Sequence, residues 1–537
     1  MQINLFGLGM QGKSPAVTAQ RKLNMYFDVQ QEQDRTSIAA YRTPGLQSFV
    51  SFGDTPVRGK LSIDDLMYVV HRGTLWSVNN AGTKTSLGTL NTTSGRVEMA
   101  YNGSQILLVD GTNGYIYSTT YSTFFQVKQW DSGTTTSTTA NKLVDSGGDF
   151  VNAGIKAGMI VYNTTDTTEA TITAVDSATT LSLSSDVFTS GEAYVIGDAD
   201  FPDGATTVDF LESYFIVELE DQFYISGSNN GMKWDALDFA TAESAPDGIV
   251  RVYQDHGDVI LFGEVTTEHW GSSGATDFPF SKVQGISAEW GLAAKWSVAR
   301  FDNSLMYLAK NRMGEVMLVR LEGYYPKPIN NNEFHHVINN YTTVSDATAF
   351  AYLLGGHPMY QINFPSEGAS WLYDGQTNMV SELQGYGLTR HQGEIATHFL
   401  NKNYVSDYSN GNIYRLNDET YTDNGEPIVC QLRSKHIFSE NDHNMIVDAL
   451  QLHMETGAGL ATGQGSDPKI MLRYSKDLGR TWSGEIQASI GKIGEYKTRA
   501  IWRRLGIARD WVFEISISDP IKVVITGANL VAREGIS

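Results

Sequence analysis

A repeat constrains this chain more than any other feature. An apolar strand, a short polar turn and a second strand carrying aromatics recur seven times. The copies lie at 66–70 with 75–78, 106–109 with 115–117, 214–217 with 223–225, 259–262 with 267–270, 305–308 with 316–319, 359–362 with 371–373 and 404–407 with 413–416. Every step between starts but one is 40 to 54 residues. A period of about 45 residues built from strand–turn–strand units is the signature of a β-propeller. One such blade cannot bury both of its faces, so blades stack around an axis. Six or seven blades fit, and a row of β-sandwiches with coincidental spacing is the competing reading.

The one long step, from 106 to 214, holds a foreign segment. A Ser/Thr run at 132–139 is followed by short β-branched stretches at 143–150, 159–162, 170–175 and 180–184. This reads as a small β-barrel or sandwich inserted in an exposed loop, where insertions disturb few contacts. It is expected to project from the propeller. After about residue 425 the spacing changes again, and six strand-like runs between 428 and 526 suggest a C-terminal sandwich. Helical periodicity is nearly absent. The expectation is therefore an all-β chain: an N-terminal arm with first strands at 1–54, a propeller body at 55–130 and 201–425, an inserted small β-domain at 131–200, and a sandwich-like domain at 426–537.

Composition narrows the function. The 537 residues are enough to bury a core without disulfides or metals. The chain carries 39 Lys+Arg against 60 Asp+Glu, a net charge of −21. That excludes a chain that binds nucleic acid by neutralising phosphates overall, although an acidic wall can guide DNA by repelling it. The single cysteine, Cys430, excludes an internal disulfide framework and a cysteine-cluster metal site. No apolar run approaches the roughly 18 residues of a membrane span, and the N-terminus lacks the pattern of a secretory signal.

Several motifs invite a chemical reading. Gly7, Gly12, Lys13 and Ser14 match the phosphate-loop pattern. Pro15 follows at once and no parallel sheet lies behind, so a glycine-rich arm is the better reading. Ser475-Lys-Asp477-Leu-Gly479-Arg-Thr481-Trp482 matches all five positions of the Asp-box, a hairpin in which Ser and Asp side chains bond the turn backbone, Gly takes positive φ and Trp packs beneath. Sialidases carry several such boxes, away from their chemistry. Glu218 and Glu220 alternate along one run and are expected to share a solvent or channel face. His335 and His336, read as strand neighbours, point to opposite faces and make poor co-ligands. The segment 198–204 mimics a calcium loop with its register off by one and Pro202 at a ligand position, so it reads as the insert's exit turn. No catalytic residue, metal ligand or cofactor is expected. Lys492, Lys497, Arg499, Arg503, Arg504 and Arg509 concentrate near the C-terminus. Among them Arg499, Arg503 and Arg504 are candidates for subunit contacts or a minority ring in a lumen.

Several stretches also resemble a known family. The segment containing Gln20, Arg21, Asn24 and Tyr26 resembles the opening of the packaged-DNA stabilisation proteins, the tail hub or nozzle proteins, of short-tailed bacteriophages. Residues 244–249 and 257–270 resemble their central signature, a Pro-Asp-Gly-Ile turn before a strand ending near Thr-x-Glu-aromatic. Residues 473–482, 491–496 and 499–506 resemble their closing segment. The likeness runs in family order over 18–506, with 131–200 outside it. It implies a propeller body and a sixfold ring below the portal and its adaptor. Such a ring continues the double-stranded DNA channel, retains the packaged genome, gates its ejection and carries fibres or spikes. It implies a virion protein without enzymatic activity. The alternative is a glycan-binding or glycan-cleaving propeller, motivated by the Asp-box and by Trp270, Trp290 and Trp371. Those tryptophans recur at blade-strand positions, so core packing is the better reading.

Overall fold

The computed structural model of the chain describes residues 2–3, 9–10, 14–32, 35–242, 247–275, 278–439, 441 and 443–535. The phosphate-loop look-alike falls mostly outside them, as does much of 244–249. Almost all regular structure is antiparallel sheet. Among the described residues no helix is long and apolar enough to cross a membrane.

Seven blades surround one axis, at 57–89, 98–126, 208–241, 249–288, 290–328, 348–382 and 393–417. The seven repeats of the sequence are the second and third strands of these blades. Those strands lie between neighbouring blades and are apolar on both faces: every residue of Gln105–Val109 and Gly114–Ser118 is buried. The innermost strands contact one another around the axis. Blade 1 approaches blade 2 so closely that a Cβ on Gly59 would sit 2.2 Å from the Val97 carbonyl oxygen.

Blade 7 explains how the ring is held shut. Its three inner strands are Gly393–Phe399, Lys402–Asp407 and Asn412–Asn417, and its next strand outward is Gly45–Ser51. Leu46 pairs with Leu416 and Gln47 with Arg415. The propeller therefore begins at 45, inside the segment expected to be arm and first strands. Opening the ring requires unpairing two segments more than 350 residues apart in sequence, which adds cooperativity at the cost of slow, non-local closure (relative contact order,).

The insert folds as a six-stranded sheet curled on itself. Asp131–Thr134 pairs with Ala193–Ile196 at one end, Lys142–Val144 pairs with Thr180–Leu183 at the other, and the Thr136 amide donates to the Val144 carbonyl across the gap. Leu143, Phe150, Met159, Ile172, Leu181 and Ile196 fill it. It does not stand clear of the propeller as expected. Its core is continuous with Ile116, Phe125, Phe215 and Trp234 of blades 2 and 3. The four-residue entry connection brings Val127, and the longer exit connection brings Phe201 and Ala205, into the same core, which holds the insert against the blades.

The sandwich takes strands from both chain ends. One sheet runs Met25–Glu32, Arg35–Arg42, Val524–Glu534, Met445–Met454, Ala500–Ala508. The other runs Arg21–Leu23, Cys430–Arg433, Asp510–Ile517, Lys469–Ser475, Ile486–Ser489. Phe27, Leu450, Trp502, Trp511 and Phe513 meet between them. Leu23 also pairs in parallel with Glu382 of blade 6, so one continuous sheet crosses from propeller to sandwich. A single helix among the described residues, Asn332–Asn339, joins blades 5 and 6. The Asn331 side chain caps it by accepting from the Phe334 amide at 2.9 Å. His335 and His336 thus lie on a helix, not on a strand. The buried Phe334 and Ile338 dictate this, one turn apart on one face.

Candidate functional sites at the junction, the axis and the sandwich

The junction between propeller and sandwich is built from the opening motif of the chain. Arg21 donates from Nε to Glu382 Oε2 of blade 6 (2.9 Å) and from Nη1 to Gln431 Oε1 of the sandwich (2.7 Å). Asn24, buried and at φ +53°, donates from Nδ2 to the carbonyls of Gln384 (2.8 Å) and Val429 (2.9 Å), while its Oδ1 accepts from the Gln384 amide (2.9 Å). Asparagine tolerates this left-handed backbone because its short amide bonds locally. Tyr26 stacks on Tyr41 with ring centroids 5.5 Å apart. Arg42, buried behind them, donates to Cys430 Sγ at 3.2 Å and to the Asp519 carbonyl at 2.9 Å. Cys430 is therefore a packing residue. Burial raises its thiol further, which suppresses the thiolate that reactivity would need.

At the axis the innermost strands carry charge inward. Arg251 of blade 4 pairs with Glu98 of blade 2 and donates from Nη1 to the Lys295 carbonyl of blade 5 (3.0 Å). Glu394 of blade 7 accepts from Arg390 (2.6 Å) and from Thr348 of blade 6 (2.8 Å). These bonds tie blades together. Desolvation outweighs Arg251 and pushes the Glu98 carboxyl up to about 7.

Glu218 and Glu220, expected on one exposed acidic face, do not share one. Glu218 is 3 % exposed. It accepts from the Thr206 hydroxyl, from the Thr207 amide (2.8 Å) and hydroxyl (2.6 Å), and from Lys295 Nζ (3.1 Å). Glu220 is exposed in the turn after Tyr214–Leu219, at φ +58°. The strand ends at Leu219, so the alternation that would align the two stops before Glu220.

The Asp-box is a formed hairpin. Asp477 Oδ1 accepts from the amides of Arg480 (3.2 Å) and Thr481 (2.8 Å), and Oδ2 from the Thr481 hydroxyl (2.6 Å). Ser475 Oγ accepts from the Gly479 amide (3.0 Å) and donates to Asp477 (2.7 Å), with Gly479 at φ +82°. These donors, the Thr481 hydroxyl first, hold Asp477 down at about 2. Trp482 does not pack into the core beneath. Its ring lies half-buried under two guanidiniums, with Arg433 Cζ 4.6 Å and Arg473 Cζ 5.7 Å from its centroid. Both arginines converge on Glu514, itself 2 % exposed.

Arg499, Arg503 and Arg504 are all exposed, with no ion pair among the described residues. Arg503 and Arg504 lie on Ala500–Ala508, the edge strand of its sheet. A bulge there puts Arg504 at φ +59°. Exposed Ile507 and Val531 share this sheet with them. The sequence reading missed Lys60, Glu98, Arg251 and Glu394. The available signal was a strand with a charged residue standing before every apolar pair but that of blade 6.

Two family models match the chain in succession: the β-propeller of bacteriophage P22 Gp10 over residues 155–421, and the β-sandwich of the same protein over 430–533. The chain belongs to the P22 Gp10 family. The propeller match begins inside the insert, which had been expected to lie outside the likeness, and leaves out blades 1 and 2, which complete the ring. A curated relative in this family, the tail hub protein gp10 of Salmonella phage P22, is 21 % identical over 345 residues, covering 61 % of this chain and 67 % of the relative. Among solved structures, the Neurospora crassa Pan2 WD40 domain is 8 % identical, covers 70 % of this chain and 95 % of its own, and has a TM-score of 0.35. The dihydro-heme d1 dehydrogenase NirN is 11 % identical, covers 75 % and 74 %, and has a TM-score of 0.33. At TM-scores this low those likenesses carry no weight.

Proposed function

We propose that this chain is the tail hub subunit of a phage tail. It forms a ring below the portal and its adaptor, extends the DNA channel, and holds the genome until ejection. The observation that carries the reading is the succession of two P22 Gp10 matches over a propeller and then a sandwich. Subunits of such a ring join through heterologous contacts that close by rotation. The edge strand with Arg503 and Arg504 supplies one side of that contact and pairs with acidic surface on the neighbour. A net charge of −21 lets the lumen repel phosphates, so DNA slides without adhering. The duplex runs through the lumen of the ring and not along the propeller axis, which the innermost strands close with side chains. Fibres or spikes attach to the outside of the ring.

The glycan reading loses its support at the residue level. Trp270 and Trp371 are buried in blade cores, out of reach of a sugar ring, and Trp290 is half-buried against the core between blades 4 and 5. The Asp-box binds its own turn.

The test is a phage carrying an early stop in this gene. Particles grown without the protein are expected to package DNA and then release it, and to regain retention and infectivity when the protein is supplied. Particles that hold their DNA and infect normally without it would overturn the reading.

A further inference from the structure

One feature of the axis is independent of ring assembly. A cavity of about 310 Å³ opens between the innermost strands of blades 1, 2, 3, 4 and 7. Three cations line it, Lys60, Arg96 and Arg251, against two carboxylates, Glu98 and Asp209. Both carboxylates are already bonded. Glu98 takes Arg251 on one oxygen and the Val208 amide on the other, and Asp209 accepts from the amides of Phe210 (2.8 Å) and Gln254 (2.7 Å). The cations are underused. Arg251 is 7 % exposed, and its Nε has no hydrogen-bond partner among the described residues. Leaving a buried guanidinium donor unpaired is costly. Arg96 stacks on Trp296 at 4.8 Å, on an indole that Arg251 also approaches at 5.1 Å, and has no carboxylate within ion-pair distance among the described residues. Lys60 donates to the Tyr404 carbonyl at 3.2 Å. Burial, then the nearby Arg96, holds its ammonium well below the ordinary range. Burial brings Arg96 down to about 10.

We propose that this axial cavity binds a small multivalent oxyanion of the phosphate and sulfate class, held by Arg96 and Lys60, with Arg251 in the cavity wall. Guanidinium forks match tetrahedral oxyanions, and charge-assisted bonds in a water-poor site are strong. The cavity volume admits a free anion of this size.

The experiment uses the full chain. Inorganic phosphate and sodium chloride are titrated at equal ionic strength while thermal unfolding is followed. Phosphate at millimolar concentration is expected to raise the midpoint by about 2 °C over chloride. Arg96→Gln and Lys60→Met should each weaken phosphate binding at least about tenfold by calorimetry. Arg96→Lys, which keeps the charge, guards against a misfolded variant and should retain part of the affinity. Independently, a tungstate-soaked crystal should show an anomalous peak within hydrogen-bond reach of Arg96 and Lys60. Equal effects of phosphate and chloride on the unaltered protein, unchanged binding in both folded variants, or no anomalous peak in the cavity would each overturn the proposal.

Discussion

Lys60, Glu98, Arg251 and Glu394 of the propeller turn inward and bridge one blade to the next. Arg499, Arg503 and Arg504 of the sandwich stand in solvent with no ion pair among the described residues. The two domains thus use charge in opposite ways. The propeller closes on itself and pairs Arg251 with Glu98 across the axis. The sandwich buries one ionic cluster, Glu514 with Arg433 and Arg473, and leaves cations on an edge strand. An exposed edge is a hazard for a free protein, and charged side chains with a bulge are the usual protection. For a subunit that joins a ring, the same strand is a surface held ready.

The sharpest way to break the comparison is to remove the sandwich's buried anion. Glu514→Ala strands two guanidiniums against Trp482 and should cost about 3 kcal/mol, read as an earlier sandwich transition in calorimetry. A shift confined to the propeller transition would contradict the assignment. Next is the junction. Asn24→Ala removes three side-chain bonds and places alanine at φ +53°, a loss of about 2 kcal/mol. It should also loosen the coupling of the two domains, so that the sandwich and propeller transitions move further apart.

The pH response separates the regions further. Burial raises both Glu98 at the axis and Asp423 beside blade 7 to about 7. A carboxyl raised on folding is protonated in the native chain while the unfolded chain has already released its proton. The unfolded state then binds fewer protons, so stability falls as pH climbs from about 4 through 7. Asp423→Asn should flatten that slope while keeping the acceptor for the Leu46 amide. Asp477 runs the other way: held at about 2, it contributes above its unfolded value and is lost as pH falls through 4 toward 2. Asp477→Asn should therefore lower stability slightly at pH 7 and not at all at pH 2. The smallest effect on folding is expected from Arg503→Glu with Arg504→Glu, within about 0.5 kcal/mol for an exposed site. The same double change should abolish incorporation into particles. Normal virion yield would remove this strand from the proposed contact.

The sequence was most legible where burial is two-sided. The second and third strands of each blade read as apolar runs because both their faces meet neighbouring blades. The innermost strands were not seen, because Lys60, Glu98 and Arg251 interrupt the apolar pattern that marks a strand. The closing strand Gly45–Ser51 and the hairpin Met25–Arg42 were read as an arm because their partners, such as Arg415 and Val524, lie hundreds of residues away. Glu220 was misplaced by extending a two-residue period past a turn that consecutive Glu220 and Asp221 announce. The Asp-box bonds are local, so its turn is legible in the sequence, while the tryptophan's position depends on Arg433, forty-nine residues upstream. Arg21 and Asn24 were recognised only as a motif. Their work, joining Glu382 and Gln384 to Val429 and Gln431, required the fold.

The central claim is that this chain forms the ring through which the genome leaves the particle. Symmetry-averaged electron cryomicroscopy of the tail of purified virions tests it directly. The propeller and sandwich are expected to fit a closed ring coaxial with the DNA below the portal adaptor, with 500–508 at the boundary between neighbouring copies. Density for this chain only in peripheral spikes or fibres, or no density for it in the tail, would contradict it.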